Sequence, residues 1–384
     1  MKRYLMFAAL AACNWGTFDD LQDSTWVHAQ KAPDGVGSSD YAVALVNATD
    51  SMHPGALAVL GATDTTYSVL DFDAKGKVSA GFNTALADSQ AEIAQLPAQP
   101  VFVSDGAGNV GLAQTGTAGF GVVFGSGSGP TFDIFTNVPG VATAATYAGT
   151  SFIVAAGSQL VAIDTTVPTP IPTICDATDS SSAAITGIAA LAADASSLYA
   201  WTTDGRLVSF TLPIAAPTCT ANATTFSSPA SFMPAQGSRI FISGTHAVLA
   251  GHDGSGAGQV FVADLTATGA TAAPVLTVES LVAETFGPMG TSAEAILALG
   301  YPARSVNGVT SGQVELYKYD MASATLDPSI VETLESAQPG NDQQFGRDLG
   351  VMKLNGFGVL AVAAKGELYT YFRTTEYPDD TRQH

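Results

Sequence analysis

The sequence is poor in charged residues, and above all in positive ones. Only 12% of its 384 residues are charged, and 14 Lys and Arg stand against 34 Asp and Glu, which gives a net charge of −20. Affinity for nucleic acid comes largely from Lys and Arg that neutralise phosphates, so this balance argues against a nucleic-acid partner. An anionic membrane surface would repel the chain for the same reason. We therefore expect the membrane to be contacted only through a lipid anchor, if at all.

Long apolar runs and helical periodicity are also scarce. No uninterrupted run reaches about 18 apolar residues, so the sequence predicts no transmembrane helix. Apolar residues at helical spacing are hard to find over any longer window. Hydrophobic residues nevertheless make up 46% of the chain, whereas disorder requires low hydrophobicity and high charge. The composition is typical of a folded, β-rich extracellular protein.

Motifs that mark catalytic or cofactor sites are lacking as well. The G-x-G-x-x-G match at 106–111 is followed by a Gly- and Thr-broken stretch instead of a helix, so it predicts a hairpin turn. The stretch 71–76 begins like a calcium loop but carries a Lys at a ligand position. His246 and His252, with Asp253 after them, flank a predicted strand without metal-ligand spacing. We predict no catalytic residue, no metal and no cofactor, with a metal or catalytic pair at these histidines as a remote alternative.

The first thirteen residues carry a targeting pattern. Met1-Lys2-Arg3 precedes the apolar run 4–10, and Ala11-Ala12-Cys13 follows. The run is far shorter than the ~20 apolar residues of a membrane-spanning helix, and the order matches a secretory signal. The pattern resembles a bacterial lipoprotein signal, which implies cleavage before Cys13 and a lipid on that residue. An ordinary signal peptide with a chance cysteine is the alternative. Asn14, which is not acidic, favours the outer membrane by analogy with lipoprotein sorting.

Only three cysteines are present. If Cys13 carries lipid, Cys175 and Cys219 remain as a pair in an oxidising compartment, where disulfides persist. We predict a disulfide between them, which would close a loop of about 44 residues and contribute roughly 4 kcal/mol in the chain-entropy model. Two buried free thiols are the alternative.

A repeat runs through the chain from about residue 40. Its unit is a Gly or Ser, a polar residue and an apolar strand that often ends in Asp, and a second apolar strand precedes most copies. The clear copies start 47, 53, 54 and 54 residues apart, at Ser158, Gly205, Gly258, Gly312 and Gly366. A fainter copy starts at Gly108 and the earliest candidate at Thr66. A period of about 50 residues is typical of propeller blades. We predict an all-β fold, a single β-propeller of seven four-stranded blades, with six or eight as alternatives.

The predicted organisation has four parts. Residues 1–12 form the signal peptide, 13–38 a tether, 39–376 the propeller and 377–384 a polar C-terminal tail. Acidic residues keep the tether soluble. Its Trp15, Phe18 and Trp26 predict that part of it packs on the main domain.

Two stretches in the last third of the chain share a further order of residues. The first stretch consists of Phe286-Gly287, Gly300-Tyr301-Pro302 and Gly312-Gln313. The second stretch consists of Phe345-Gly346 and Gly366-Glu367. This order resembles the FG-GAP repeats of integrin-α-type propellers. The resemblance implies a set of repeat-motif residues: Phe286, Gly287, Gly300, Pro302, Gly312, Phe345, Gly346 and Gly366. Blades of that family often carry a calcium loop, but these stretches lack the acidic oxygens that calcium needs, so we expect no calcium here.

These features together predict a lipid-anchored β-propeller of the bacterial cell envelope that binds a protein or glycan without catalysis. A periplasmic scaffold for assembly is one alternative, and a propeller-fold hydrolase or lyase is another, because a fold does not decide a function. Charged side chains that converge on the central channel would favour an enzyme. An exposed hydrophobic blade edge would favour a scaffold.

Overall fold

A computed structural model shows an all-β protein. Its described residues are 26–31, 41–47, 55–61, 67–72, 101–104, 110–116, 119–125, 131–135, 141–167, 171–222, 224–235, 237–253, 255–279, 281–288, 294–336, 340, 343–354, 357–365 and 367–373. Over these ranges the strands form seven sheets of three to five strands and one separate two-stranded hairpin. Within the same ranges, no helix has the length and apolar character needed to cross a membrane.

The first strand, β1 (Trp26–Lys31), belongs to the last sheet, and sheets 1 to 3 follow it along the chain. Sheet 1 contains β2 (Tyr41–Asn47), β3 (Gly55–Gly61) and β4 (Tyr67–Phe72). Sheet 2 contains β5 (Val101–Ser104), β6 (Val110–Gly116), β7 (Gly119–Gly125) and β8 (Thr131–Phe135). Sheet 3 contains β9 (Ala142–Ala148), β10 (Ser151–Ala156), β11 (Gln159–Asp164) and β12 (Thr173–Thr178).

Sheets 4 to 7 complete the set. Sheet 4 contains β13 (Ile188–Ala193), β14 (Ser197–Thr202), β15 (Arg206–Thr211) and, after β16 (Thr218–Thr220), β17 (Thr224–Ser227). Sheet 5 contains β18 (Arg239–Ser243), β19 (His246–His252), β20 (Ala257–Asp264) and, after β21 (Ala270–Thr271), β22 (Leu276–Glu279). Sheet 6 contains β23 (Ala283–Pro288), β24 (Glu294–Tyr301) and, after the hairpin of β25 (Ser305–Val306) and β26 (Val309–Thr310), β27 (Gln313–Asp320) and β28 (Thr325–Leu334). Sheet 7 contains β29 (Asp348–Leu354), β30 (Phe357–Ala364), β31 (Glu367–Arg373) and β1.

The sheets are arranged in a closed ring. The first strand of each sheet contacts the first strand of the next, in the order β2, β5, β9, β13, β18, β23 and β29, and β29 contacts β2. These strands therefore lie innermost, and each sheet extends outward from them. This is the β-propeller that the repeat predicts. The total of seven blades stays a prediction.

The two ends of the described chain meet in sheet 7. β1 pairs antiparallel with β31, with Trp26 opposite Arg373 and Lys31 opposite Tyr369. β1 lies inside the segment 13–38 that was assigned to the tether, part of which was expected to pack on the main domain. Pairing of an N-terminal strand with the C-terminal sheet joins the ends of the ring by backbone hydrogen bonds, so sheet 7 has four strands even though the chain supplies only three in sequence there.

The repeat unit corresponds to the two middle strands of a sheet. The clear copies at 158, 205, 258, 312 and 366 become β11, β15, β20, β27 and β31, the third strands of sheets 3 to 7. The apolar strands before them become the second strands, as predicted. The faint copy at Gly108 is out of phase, because it leads into β6, the second strand of sheet 2. β5 ends before the G-x-G-x-x-G stretch and β6 begins within it at Val110, and the two strands pair antiparallel, which agrees with a hairpin there.

The Asp that ends several repeat units caps the turn that follows. Oδ1 of Asp164 accepts hydrogen bonds from the backbone N–H and hydroxyl of Thr166, at 2.9 and 2.7 Å. Asp264 and Thr266 form the same pair of bonds in sheet 5. The hydrogen bonds from Thr166 and Thr266 lower the pKa of these two carboxyls below its usual value. Part of the acidity of the chain thus has a structural origin in turn capping.

Apolar side chains are buried mainly between neighbouring sheets. One cluster joins Ile153 and Leu160 of sheet 3 to Leu198 and Phe210 of sheet 4, all buried. The same arrangement recurs between sheets 4 and 5, where the side chain of Trp201 is fully buried. In sheets 3 to 6 the middle strands are covered on both faces, so most of their residues are apolar on both faces.

Candidate functional site

A groove opens between sheets 3 and 4 at the end of the ring that carries the turns from first to second strands. Its volume is about 470 Å³, within the range of small-ligand pockets. Sheet 3 contributes Ala148, Gly149, Ser151, Ile153, Ala162, Asp164, Ile171 and Thr173, and sheet 4 contributes Asp194, Ala195, Leu212, Pro213 and Ile214. Sequence analysis did not single out any of these residues as a site.

The floor of the groove is apolar. Ile153 and Ile214 are buried, and Ala162 and Leu212 are partly buried against the same core cluster. Ile153 lies opposite Ala162 in the pairing of β10 with β11, and Ala162 lies opposite Thr173 of β12. Side chains at paired positions share one face of a sheet, so these residues form a row across sheet 3 that sheet 4 does not fully cover.

Two carboxylates stand at the rim. Asp164 ends β11 and is exposed. Asp194 lies in the turn after β13, where its Oδ1 accepts hydrogen bonds from the backbone N–H groups of Ser196 and Ser197 at 2.7 and 2.8 Å. Partial burial opposes ionisation of Asp194, but those bonds and one from the Tyr199 hydroxyl outweigh it and lower its pKa. Both carboxylates are therefore charged at neutral pH.

One wall of the groove is a segment of sheet 4 that reaches back to sheet 3. After β15 the chain passes through Leu212, Pro213 and Ile214 and then forms β16, which pairs parallel with β12 of the preceding sheet. The backbone N–H of Asp176 donates to the carbonyl of Pro217 at 2.9 Å. β21 makes a shorter version of the same arrangement, since it leaves sheet 5 and pairs parallel with β17 of sheet 4.

The predicted disulfide is present and fastens this wall. Cys175 of β12 and Cys219 of β16 are bonded with their Cα atoms 5.6 Å apart. Both are buried, which agrees with a stable structural bridge. The sequence placed the two cysteines at equivalent positions of successive blades. The structure differs because Cys219 lies in the extra strand between the third and fourth strands of its own sheet.

An exposed apolar residue stands beside the groove. Ile171 is 87% exposed, and it lies just before β12. Single exposed apolar residues are ordinary on protein surfaces. Here the side chain lines a groove whose floor is also apolar, so a ligand could cover both together.

A second polar cluster lies in sheet 6, at the end of the ring opposite to the groove. Arg304 forms an ion pair with Glu315 and donates a hydrogen bond to Oε1 of Gln313 at 2.8 Å. The hydroxyl of Tyr317 donates to Oε2 of Glu315 at 2.7 Å. The guanidinium of Arg304 also lies 3.8 Å above the centre of the Tyr301 ring, a cation–π arrangement. Burial, followed by the hydrogen bond to Glu315, raises the pKa of Tyr317 well above its usual value.

Truncating the buried acid of this cluster tests whether it is structural. Glu315→Ala is expected to lower the free energy of unfolding by about 2 kcal/mol, less than for a fully buried pair because Arg304 is about a third exposed. The loss arises because the guanidinium of Arg304 and the hydroxyl of Tyr317 would both lose the carboxylate to which they donate. Urea unfolding followed by circular dichroism measures it. Arg206→Ala, which removes the exposed partner of Asp204 and leaves the bond of that carboxylate to the Thr202 hydroxyl in place, is the matched control and should cost below about 1 kcal/mol. Equal effects would contradict the burial argument.

The glycines of the FG-GAP-like order pack sheet 6 against sheet 7. A Cβ on Gly300 would lie 2.0 Å from the carbonyl oxygen of Gly346, and one on Gly287 would lie 2.5 Å from Val351. Gly312 bridges to Phe345 across the same boundary. These residues therefore allow close approach of two backbones, and none of them lines the groove.

The remaining motif residues that the structure describes also pack against other parts of the fold. Phe286 stacks on Phe241 of sheet 5, with ring centroids 5.5 Å apart. Phe345 is fully buried and meets Tyr369 edge-on at 5.4 Å. Pro302 is buried at the end of β24. Gly366 and the predicted lipidation residue Cys13 lie outside the described residues.

The two central histidines do not come together. His246 and His252 are the first and last residues of β19, and a seven-residue strand separates its ends by about 20 Å. Burial lowers the pKa of His252 although Asp253 opposes the shift, while Asp253 caps its own loop by accepting from Ser255 at 2.8 Å. In the part of the chain that the structure describes, no three His, Cys, Asp or Glu residues are grouped so that they could hold a metal ion.

Sequence reasoning missed both polar features. Glu315 carried a usable signal, because it is a lone acid inside the otherwise apolar strand of its repeat unit. The signal of Asp164 and Asp194 was weaker, because several other Asp residues also end or follow an apolar strand. Nothing local in the sequence brings those two to one groove.

Comparison with solved structures supports the fold. The chain is similar to the β-propeller domain of Cps50 (Swd1) from Myceliophteria thermophila, with a TM-score of 0.54 and 13% identity, over 90% of this chain and 99% of that one. No family model and no curated protein matches the sequence. A likeness at this identity concerns the fold alone, and it agrees with the ring of sheets: the chain is a β-propeller.

Proposed function

We propose that this protein is a non-enzymatic binding module of the bacterial envelope, a β-propeller anchored by a lipid on Cys13 that binds a protein or glycan. The observation that carries the proposal is the groove between sheets 3 and 4. It combines an apolar floor, charged rim residues and a wall fastened by a disulfide. A rigid wall lowers the ordering cost of binding, so such a groove is suited to a ligand.

The innermost strands support binding over catalysis. Their described sequences are mostly Ala, Val, Ile, Thr and Ser, as in ATAATYA of β9 and IAALAA of β13. An enzyme that uses the channel would need charged or nucleophilic side chains to converge there. The charged residues of the described innermost strands are Arg239 of β18, Glu284 of β23, and Asp348 and Lys353 of β29, and none of these strands contains a His or Cys.

The compartment is part of the same proposal. A disulfide persists in an oxidising environment such as the bacterial periplasm or cell surface, and Cys175 and Cys219 form one. This supports export of the chain by the N-terminal signal, and the lipoprotein pattern then assigns Cys13 the anchor, with the outer membrane as destination.

We also propose that sheets 6 and 7 are related to FG-GAP blades. The support is that Gly287, Gly300, Gly312 and Gly346 all sit where one sheet approaches another closely. Such close approach requires glycine at those positions whatever the ligand, so the relation concerns blade construction and adds no metal site.

Photo-crosslinking in living cells tests the binding function. A benzophenone amino acid at position 171, beside the groove, is expected to form crosslinked products that require an intact Cys13. Cys13→Ala releases the protein from the membrane fraction and should abolish those products. Protease treatment of intact cells then shows whether the propeller faces outward. Absence of any crosslink from position 171 in membrane-anchored protein would overturn the proposal.

A scaffold function is the second candidate, favoured by the outer edge of sheet 6. β28 is ten residues long and ends that sheet, and its Ile330 and Val331 are 49% and 45% exposed. Long exposed edges attract further strands, although Pro328 within β28 limits such pairing. Crosslinks from position 330 without any from position 171 would favour this function.

A further inference from the structure

The groove between sheets 3 and 4 points to a definite ligand class. We propose that it binds a protein segment that presents a basic side chain next to an apolar one. The inference rests on the proposed binding function, and it narrows the ligand from a protein or a glycan to a protein.

The floor of the groove is suited to an apolar side chain. Ile153 and Ile214 are buried members of one core cluster, and Leu212 and Ala162 pack against it partly buried. The volume of about 470 Å³ is large enough for a side chain of the size of Leu or Met. Burial of such a side chain supplies most of the affinity.

The charge at the rim of the groove favours a basic side chain. Asp164 and Asp194 stand at the rim, and among the described lining residues none is basic. The hydrogen bonds that Asp164 accepts from Thr166 both go to Oδ1, and the residue is exposed, so its Oδ2 can accept from a Lys or Arg of a ligand. The net charge of −20 for the whole chain adds attraction for a basic segment.

The lining of the groove favours a protein ligand over a glycan. Sugar rings in binding sites usually lie against aromatic side chains and exchange several hydrogen bonds with polar groups. None of the described lining residues is aromatic, and only Ser151 and Thr173 contribute hydroxyls. Two carboxylates also disfavour an anionic lipid headgroup. A peptide with one cationic and one apolar side chain matches the two carboxylates and the apolar residues of the lining.

The exposed Ile171 extends the contact beyond the groove. It is 87% exposed and stands at the mouth on the sheet 3 side. A second apolar residue of the ligand, on the other side of the basic residue, would cover it. The segment has to bend at the basic residue, because a fully extended segment would turn the basic side chain away from the two carboxylates. The expected pattern in the ligand is therefore apolar, basic, apolar.

Fluorescence anisotropy with the full-length lipidated protein in detergent micelles tests the inference. The probes are three labelled peptides, GSGLKLGSG and its versions with norleucine or Glu in place of Lys. The Lys peptide is expected to bind about fivefold more tightly than the norleucine peptide, as for a pair of partly exposed charges, and the Glu peptide most weakly. The preference should shrink at high salt. Equal binding of all three peptides would overturn the inference.

Charge-only variants make the test specific. Asp164→Asn with Asp194→Asn keeps side-chain oxygens that can cap the two turns, and should remove the preference for Lys while the norleucine peptide binds as before. Asp264→Asn is the matched control, because Asp264 caps the same kind of turn with Thr266 in sheet 5 and does not line the groove. Loss of the preference in the control would also contradict the inference.

The outcome separates the inference from the function on which it rests. Crosslinks from position 171 in cells together with charge-independent peptide binding would leave the binding function standing and reject the ligand class. The absence of crosslinks together with the absence of peptide binding would reject both the binding function and the ligand class. Ile171→Ser should weaken the Lys peptide about threefold, whereas Ile330→Ser on sheet 6 should leave it unchanged.

Discussion

Gly312→Ala is expected to lower the free energy of unfolding by about 3 kcal/mol or more, the sum of backbone strain and a steric clash. Gly312 has a φ of +86°, in the left-handed region that L-residues avoid. A Cβ there would lie 2.3 Å from the carbonyl oxygen of Phe345 and 2.6 Å from its nitrogen. Both are backbone atoms of the bridge that joins sheets 6 and 7, so relief of the clash requires the two sheets to separate. The midpoint of urea unfolding measures the loss.

Gly308→Ala is the matched control for that experiment. Gly308 lies four residues earlier in the same loop and has a φ of +82°, yet a Cβ there meets nothing within 4 Å. Its substitution carries the backbone strain alone and should cost about 1 kcal/mol. If the two variants were equally stable, close approach of the sheets would not be the reason for glycine at 312.

The fold could be predicted because its determinants are local and repeat. Alternation of turn residues with short apolar strands is set within each unit, and only ring closure lets every unit bury both faces. The strands that follow Ser158, Gly205, Gly258 and Gly312 occupy the same place in successive sheets. The copy at Gly108 failed because a Gly followed by a polar residue and an apolar strand also fits the second strand of sheet 2.

The groove could not be predicted because it joins segments that no local pattern relates. Asp164 belongs to sheet 3 and Asp194 to sheet 4, and the wall depends on Leu212, which follows β15. β16 itself is three residues long, too short for a strand pattern to be recognised. The pair of cysteines was the one signal of this long-range contact, and it came from compartment chemistry rather than from periodicity.

Removal of the disulfide is expected to produce the largest change in stability. Cys175→Ala with Cys219→Ala should cost about 4 kcal/mol, because the bridge spans 44 residues and restricts the unfolded chain. The fold itself should persist, since β16 keeps its backbone bonds, among them the N–H of Ala221 to the carbonyl of Thr178 at 2.7 Å. Chemical unfolding under oxidising conditions, compared with the wild type, measures the difference.

β21 shows why the loss of stability on removal of the disulfide should arise mainly in the unfolded state. β21 pairs with β17 in the same parallel manner, and its residues contain no cysteine. The N–H of Gly269 donates to the carbonyl of Thr224 at 2.8 Å, so a reaching strand holds its place without a covalent bond. The double variant and fully reduced wild type should therefore unfold at the same denaturant concentration, with circular dichroism spectra of the native state unchanged. If the variant instead lost its strand signal or its binding of the Lys peptide, the bridge would be shaping the native groove and not only restricting the unfolded chain.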